Sequence, residues 1–265
     1  MPRLNRIYGI SGIYHVTSRG VGRATIFEDN DDREKFLSII SDAITKFADL
    51  KVSLHAFVLM DNHFHLLIKA EDKGISLVMK YIKELYAEYY NRKYEAYGPL
   101  FAGRFGSKPV DDDEYYIATL KYILNNPVRA GLCSHASEYE WSSYGCLFSR
   151  KISTHNSFIT NYNKRVVNSE YAKELYGDIA KLEMYITDGV VMDRASYENR
   201  RCNTTPTSIL KDILNNIASK LGLESFKEVG KNERAPFLSM AKKSGITVAK
   251  IGLLTGYPLQ IIRDA

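Results

Sequence analysis

The sequence predicts an α+β fold: a ferredoxin-like antiparallel sheet with helices on one face, followed by a helical C-terminal region. Two observations carry this expectation. The first part of the chain alternates period-2 and period-3.6 apolar patterns in the order β-α-β-β-α-β-α, and its first six elements suit such a sheet. After residue 148 the composition turns polar ("SRKISTHNS") and the later apolar patterns are helical only. "IYHVTSRG" (13–20) alternates and is β-rich, a strand. "DNDDREKFLSIISDAITKFADL" (29–50) opens on acidic capping residues, and Phe36, Ile39, Ile40, Ala43 and Phe47 then recur at helical spacing. "VSLHAFVLM" (52–60) and "HFHLLIKA" (63–70) form a hairpin about the tight turn in "MDN". "GISLVMKYIKELYAEYYNRKYEAYG" (74–98) is a long amphipathic helix closed by Gly98-Pro99. "GRFGSKPV" (103–110) is a short strand. "DDDEYYIATLKYILNNP" (111–127) is a helix capped by aspartates and stopped by Pro127.

A boundary is expected near residue 150, giving a first domain over 1–150 and a partly helical connector over 151–205 that includes a linker at 199–208. Residues 206–265 form a further helical region. Lys/Arg and Asp/Glu balance at 19 each over 1–150 and stand at 17 against 12 over 151–265, so the net charge of +5 lies in the later part. A basic excess there points weakly to nucleic acid. Cys133, Cys146 and Cys202 are odd in number and show no Cys-x-x-Cys spacing, which fits a reducing, cytoplasmic setting without a zinc knuckle. No apolar run approaches the ~20 residues of a membrane span, and the first residues lack the apolar stretch of a secretory signal.

In "MDNHFHLLIKA" strand alternation turns His63 and His65 to one face, about 7 Å apart along the strand. Phe64, Leu66 and Ile68 take the other, core-facing side. Two imidazoles on an open sheet face can hold a divalent ion and leave positions for water and substrate oxygen. Two locally bonded histidines have the same spacing. His15 and His55, on neighbouring strands, could share that face. In the helix that follows, Tyr116, Ile117, Leu120, Ile123 and Leu124 form the apolar side. At 100° per residue Tyr122 lies opposite Leu120 and Leu124, with Asn126 one turn on and Tyr115 two turns back. Small Ala118 and Thr119 lie between, so a ligand could reach Tyr122, one of 19 tyrosines.

Five stretches, "YHVTSRG", "FVLMDNHFHLLI", "YGPLFAGRFGSKPV", "YILNNPVRAGL" and "WSSY", occur in this order. Together they resemble the REP-associated tyrosine transposases, a branch of the single-tyrosine HUH transposases and nucleases, over roughly residues 7–148. The HUH motif here is His63-Phe64-His65. Asp61 departs from the proline usual before Asn-His in that family, which should alter the turn and not the ligands. The resemblance implies that His63 and His65 are metal ligands, with Asn126 as third. It makes Tyr122 the nucleophile, and Arg104 and Lys108 contacts to DNA phosphate. It further implies cleavage and strand transfer on single-stranded or hairpin DNA, with Mg²⁺ or Mn²⁺ as cofactor and a covalent 5′-phosphotyrosine.

Such chemistry suits the residue types. A tyrosine hydroxyl must lose its proton to attack a phosphodiester, and a divalent ion can polarise the phosphate as a Lewis acid. The covalent link stores the energy for rejoining without ATP. The alternatives are a catalytically inactive DNA-binding regulator of repetitive palindromic sites and an RNA-binding sheet that stacks bases on aromatic side chains. Intact His63, His65, Tyr122 and Asn126 disfavour the first, and the absence of an aromatic pair on the predicted open face disfavours the second. Near the C-terminus "TVAKIGLLTGYPLQIIRDA" has a helix-turn-helix pattern, with Gly256 at the turn and Ile251 and Ile262 where two helices would meet; a plain helical hairpin would read the same way. The sequence leaves the oligomeric state, monomer or homodimer, open.

Overall fold

The computed structural model describes residues 7–71, 73–148, 162, 165–189, 207–246 and 248–265. Four antiparallel strands, β1 (Ile13–Arg19), β2 (Ser53–Met60), β3 (His63–Lys69) and β4 (Gly106–Pro109), form one sheet in the order β2-β3-β1-β4. Helices α1 (Asn30–Lys46) and α2 (Ile75–Tyr94) complete the expected βαββαβ order. Asp29 caps α1 by accepting a hydrogen bond from the Asp32 N–H. Phe36, Leu37, Ile39 and Ile40 of α1 and Val78, Ile82, Tyr86 and Tyr90 of α2 then meet Phe64, Leu66 and Ile68 of β3 in one core. Each large apolar side chain buried there contributes roughly 1.5–3 kcal/mol.

The opposite face is not open. Helix α3 (Asp113–Leu124), capped by Asp112, lays Tyr116, Leu120, Ile123 and Leu124 over Ala56, Val58 and Leu67. The sheet is therefore covered on both sides along part of its length. The physical reason is visible in the strands: Ala56, Val58, Met60 and Leu67 make the second face apolar too, and an apolar face must be covered. Residue 162 and residues 165–187, placed in the connector by composition, serve these same cores. Tyr162 and Val167 join the α1–α2 side, while Ala172, Leu182 and Ile186 join the α3 side. The boundary near 150 and most of the linker at 199–208 lie outside the described residues.

The helix expected over 111–127 is two helices. It ends at Leu124, Asn125 caps it, and a separate turn, α4 (Asn126–Arg129), follows. Pro127 has no N–H for the carbonyl of Ile123, so the ladder cannot run on, yet its fixed φ suits the start of a new turn. The "WSSY" stretch closes the outer edge of β2: the Leu59 N–H donates to the Trp141 carbonyl and the Phe57 N–H to the Ser143 hydroxyl.

The C-terminal helices have their own core, in which Leu214, Phe237, Leu238, Ile251 and Ile262 are buried. Helices Val248–Thr255 and Leu259–Asp264 meet at Gly256, whose φ of 75° a glycine adopts freely. This body also touches the first one. Gly256 faces the Tyr97 ring, Lys227 pairs with Glu95, and Val248–Thr255 packs on the 3-10 turn Val21–Arg23.

His55 sits at a β-bulge in β2, under α3. Its Nδ1 lies 3.0 Å from the Tyr116 hydroxyl and its Nε2 3.1 Å from the Ser53 hydroxyl. Burial, with a smaller push from the Lys69 charge, lowers its pKa to about 4. Below the unfolded value near 6.5 the unfolded chain binds this proton and the folded chain does not. Stability is therefore expected to fall as pH drops from 6.5 towards 4, by about 1.4 kcal/mol per pH unit at most from this group. Urea unfolding across that range, with His55→Gln for comparison, should show a shallower acid-side loss in the variant.

Asp61, in the β2–β3 turn, pairs with the buried Arg33, whose Nη1 also donates to the Asp29 carbonyl. Asp61→Ala should cost about 1–3 kcal/mol in urea unfolding, because it leaves a buried guanidinium half-satisfied. An unchanged midpoint would show that Arg33 finds water instead.

Candidate active site

Antiparallel pairing fixes which side chains meet under α3 and beside it. Thr17 stands opposite His65 and Arg19 opposite His63 across β1–β3. On the other side of β1, Gly106 stands opposite Thr17 and Lys108 opposite His15. Paired residues of an antiparallel sheet share a face, so His15, Thr17, Arg19, His63, His65, Gly106 and Lys108 all point one way. The structure thus settles the register of His15, which joins the pair, and separates His55, which belongs to the core.

The histidines are in direct contact. His15 Nε2 lies 2.9 Å from His65 Nδ1, and the rings stack with centres 5.2 Å apart. The His63 and His65 rings meet edge to face at 5.3 Å. Burial holds His15 and His65 neutral: it lowers His15 to about 4, helped by the charge of Lys108, and His65 to about 2, helped by His63 and His15. A neutral imidazole has one nitrogen lone pair to offer a metal.

The tautomers fit that use. The Asn62 Oδ1 lies 2.7 Å from His63 Nδ1, so the proton sits on Nδ1 and the lone pair on Nε2. The same amide donates through Nδ2 to the Arg23 carbonyl at 3.3 Å. If His65 Nδ1 is the donor to His15, its lone pair is likewise on Nε2. Among the described residues no three His, Cys, Asp or Glu side chains are grouped to hold an ion. A site built on this pair needs a ligand of another kind. Asn126 Nδ2 donates to the Tyr122 carbonyl at 2.8 Å, which leaves Oδ1 as the atom of that amide for a cation. Asn126 is buried and is not among the residues lining the two cavities described next.

Tyr122 projects from α3 onto the histidines. Its ring centre is 5.6 Å from both His65 and His15, edge-on to each, and the Arg129 guanidinium lies over its outer side at 5.3 Å. Two cavities flank His65. One, of about 610 Å³, holds Tyr122, Tyr115, Lys108 and His15. The other, of about 630 Å³, holds His63, Asn62, Arg19, Arg23 and Arg104. Arg104 and Lys108, both read as DNA contacts, therefore fall on opposite sides of His65. Sequence reasoning missed Arg19, Arg23, Asn62 and Arg129. Arg19 was within reach, since it shares its alternation with His15 and Thr17. Arg129 was not, because its placement depends on the break at Pro127.

Residues 10–126 match the family model described as "Transposase IS200 like". No curated protein matches the chain. Among solved structures, that of a REP-associated tyrosine transposase bound to a REP hairpin is 18% identical, with a TM-score of 0.48, over 60% of this chain and 93% of that one. A Deinococcus radiodurans protein assigned as a transposase is 19% identical, with a TM-score of 0.34, over 47% of this chain and 97% of that one.

The Asn62 bridge generates a direct expectation. In ¹⁵N–¹H correlation spectra His63 should carry its proton on Nδ1, and Asn62→Ala should move the population towards Nε2–H, the reverse of what an acceptor at Nδ1 enforces. The same tautomer in both proteins would mean that Asn62 does not set it.

Proposed function

We propose, from the premise that residues 10–126 belong to the IS200-like transposases, that this protein nicks and transfers single-stranded DNA bearing a hairpin, with Tyr122 as nucleophile. The family supports a DNA-processing role; the tyrosine chemistry is the further step. The single observation that carries it is the placement of Tyr122, on a separate helix, against both His65 and His15.

Tyr122 Oη would attack the scissile phosphorus, and the bond from phosphorus to the 3′-oxygen would break. A 5′-phosphotyrosine forms and the other strand leaves with a 3′-OH. The phenolic proton ends in bulk solvent, and the leaving oxygen takes a proton from water. His63, His65 and Asn126 Oδ1 would hold a divalent ion, Mg²⁺ or Mn²⁺, whose contribution is Lewis-acid polarisation of the phosphate. Arg129, lying over the Tyr122 ring, would keep the ring turned towards the histidines. Lys108 would meet the phosphate on the tyrosine side. Reversal of the attack by a 3′-OH rejoins DNA without an external energy source.

Tyr115 lines the same cavity as Tyr122 and is equally exposed, at 38%. It therefore serves as the control. On a denaturing gel with end-labelled hairpin substrate, Tyr122→Phe should lose the covalent adduct by about a thousandfold or more and keep hairpin affinity, since only the nucleophilic oxygen is removed. Tyr115→Phe should keep the adduct. An adduct that survives in Tyr122→Phe and vanishes in Tyr115→Phe would overturn the assignment. His63→Ala with His65→Ala should abolish EDTA-sensitive cleavage, and cleavage that persists would exclude the proposed ligands. A wild type that forms no adduct with either ion would favour the regulator reading.

A further inference from the structure

His15 takes no step in the proposed attack, yet it meets both the nucleophile and a proposed ligand. It stands on β1, the inner strand between β3 and β4. Directly across from it are Leu67 on β3 and Lys108 on β4. His65 stands opposite Thr17, so His15 and His65 are diagonal neighbours across β1–β3. Such neighbours are roughly 7–8 Å apart at the backbone, within reach of ring side chains. Here the rings meet, with His15 Nε2 2.9 Å from His65 Nδ1.

Packing alone does not call for a histidine at 15. Leu67 belongs to the apolar core under α3, and a leucine or valine at 15 would extend that core. A half-buried imidazole must instead find partners for its nitrogens. The Tyr122 ring stands 5.6 Å from both imidazoles, so the three rings pack as a triangle. His15 cannot leave without opening it.

The contact has a direction. An N–H···N bond needs one ring to give the proton and the other to take it. If His65 accepted at Nδ1, its own proton would sit on Nε2 and no lone pair would be left for a cation. If His65 donates, its lone pair stays on Nε2, and His65 lines both cavities. His63 has the matching arrangement, with the Asn62 amide oxygen as the acceptor at Nδ1. The two acceptors come from different elements, the β2–β3 turn and β1.

We infer that His15 is a positioning residue: its Nε2 accepts the Nδ1 proton of His65 and so fixes the His65 lone pair on Nε2, available to a divalent cation. β1 is paired on both sides, which gives this acceptor a rigid base. The purpose of the contact rests on the reading of His65 as a metal ligand; the contact itself does not.

The test uses the full chain, ¹⁵N-labelled and free of metal. Long-range ¹H–¹⁵N correlation spectra should place the His65 proton on Nδ1, with a coupling across the hydrogen bond to His15 Nε2. A wild-type proton on His65 Nε2 would overturn the inference without any variant. His15→Phe keeps a ring against Tyr122 and removes the acceptor. The His65 proton should then move towards Nε2, while the His63 tautomer stays as it is. His15→Gln offers an amide oxygen at similar reach and should keep the wild-type tautomer. Mn²⁺ binding, read by electron paramagnetic resonance, should weaken about tenfold or more in His15→Phe and far less in His15→Gln. A space-filling role would give the reverse order, with His15→Phe like the wild type and His15→Gln the weaker binder, and that order would overturn the inference. A wild type that binds no Mn²⁺ would sink the reading of His65 as a ligand, while its tautomer would still decide the contact.

Discussion

Everything at the site depends on the register of β1 between its two neighbours. With Thr17 opposite His65 on one side and Gly106 on the other, a single row of residues crosses the sheet at the point where Tyr122 arrives. A slip of one residue would turn His15, Thr17 and Arg19 into the α1–α2 core and bring Tyr14 and Val16 out. The register is in turn held by those apolar residues, both fully buried among the side chains of α1 and α2. The face that carries the histidines is thus fixed by the packing of the opposite one.

The second constraint is the cover on the sheet. Because α3 and the helices after it close part of the second face, His15 and His65 are dry enough to stay neutral, and hydrogen bonds orient the rings. Each ring has one: His65 with His15, His63 with Asn62. The Asn62 amide also holds the Arg23 carbonyl, so one side chain sets both the His63 tautomer and the position of the arginine turn. Orientation of this kind is what allows a loop residue to act with the precision of a strand residue.

Much of this was legible in the sequence, and for identifiable reasons. Strand alternation placed His63 and His65 together, and helical periodicity separated Tyr122 from the apolar side of its helix. The strand order follows from short connections and the hairpin at Asp61-Asn62. What was not legible depended on long-range pairing. The partners of His15 need the register of three strands, and no local pattern supplies that. The cover over the second face was hidden because Ala56, Val58 and Leu67 lie among core residues of the other face and read as one continuous apolar run. Asp61, noted as a departure in the turn, proved to be the partner of Arg33. The break after Leu124 turned an expected stop into a change of direction that carries Arg129 back over Tyr122.

The contact between Val248–Thr255 and the Val21–Arg23 turn joins segments far apart in the sequence. On the ribosome the turn is made well before its brace. A nascent chain can close the sheet, seat the histidines and dock α3 well before that brace exists. The arginine turn is therefore secured later than the sheet and α3. Completion of the basic cavity is tied to the folding of the C-terminal helices, and the growing polypeptide lacks that brace until they are in place.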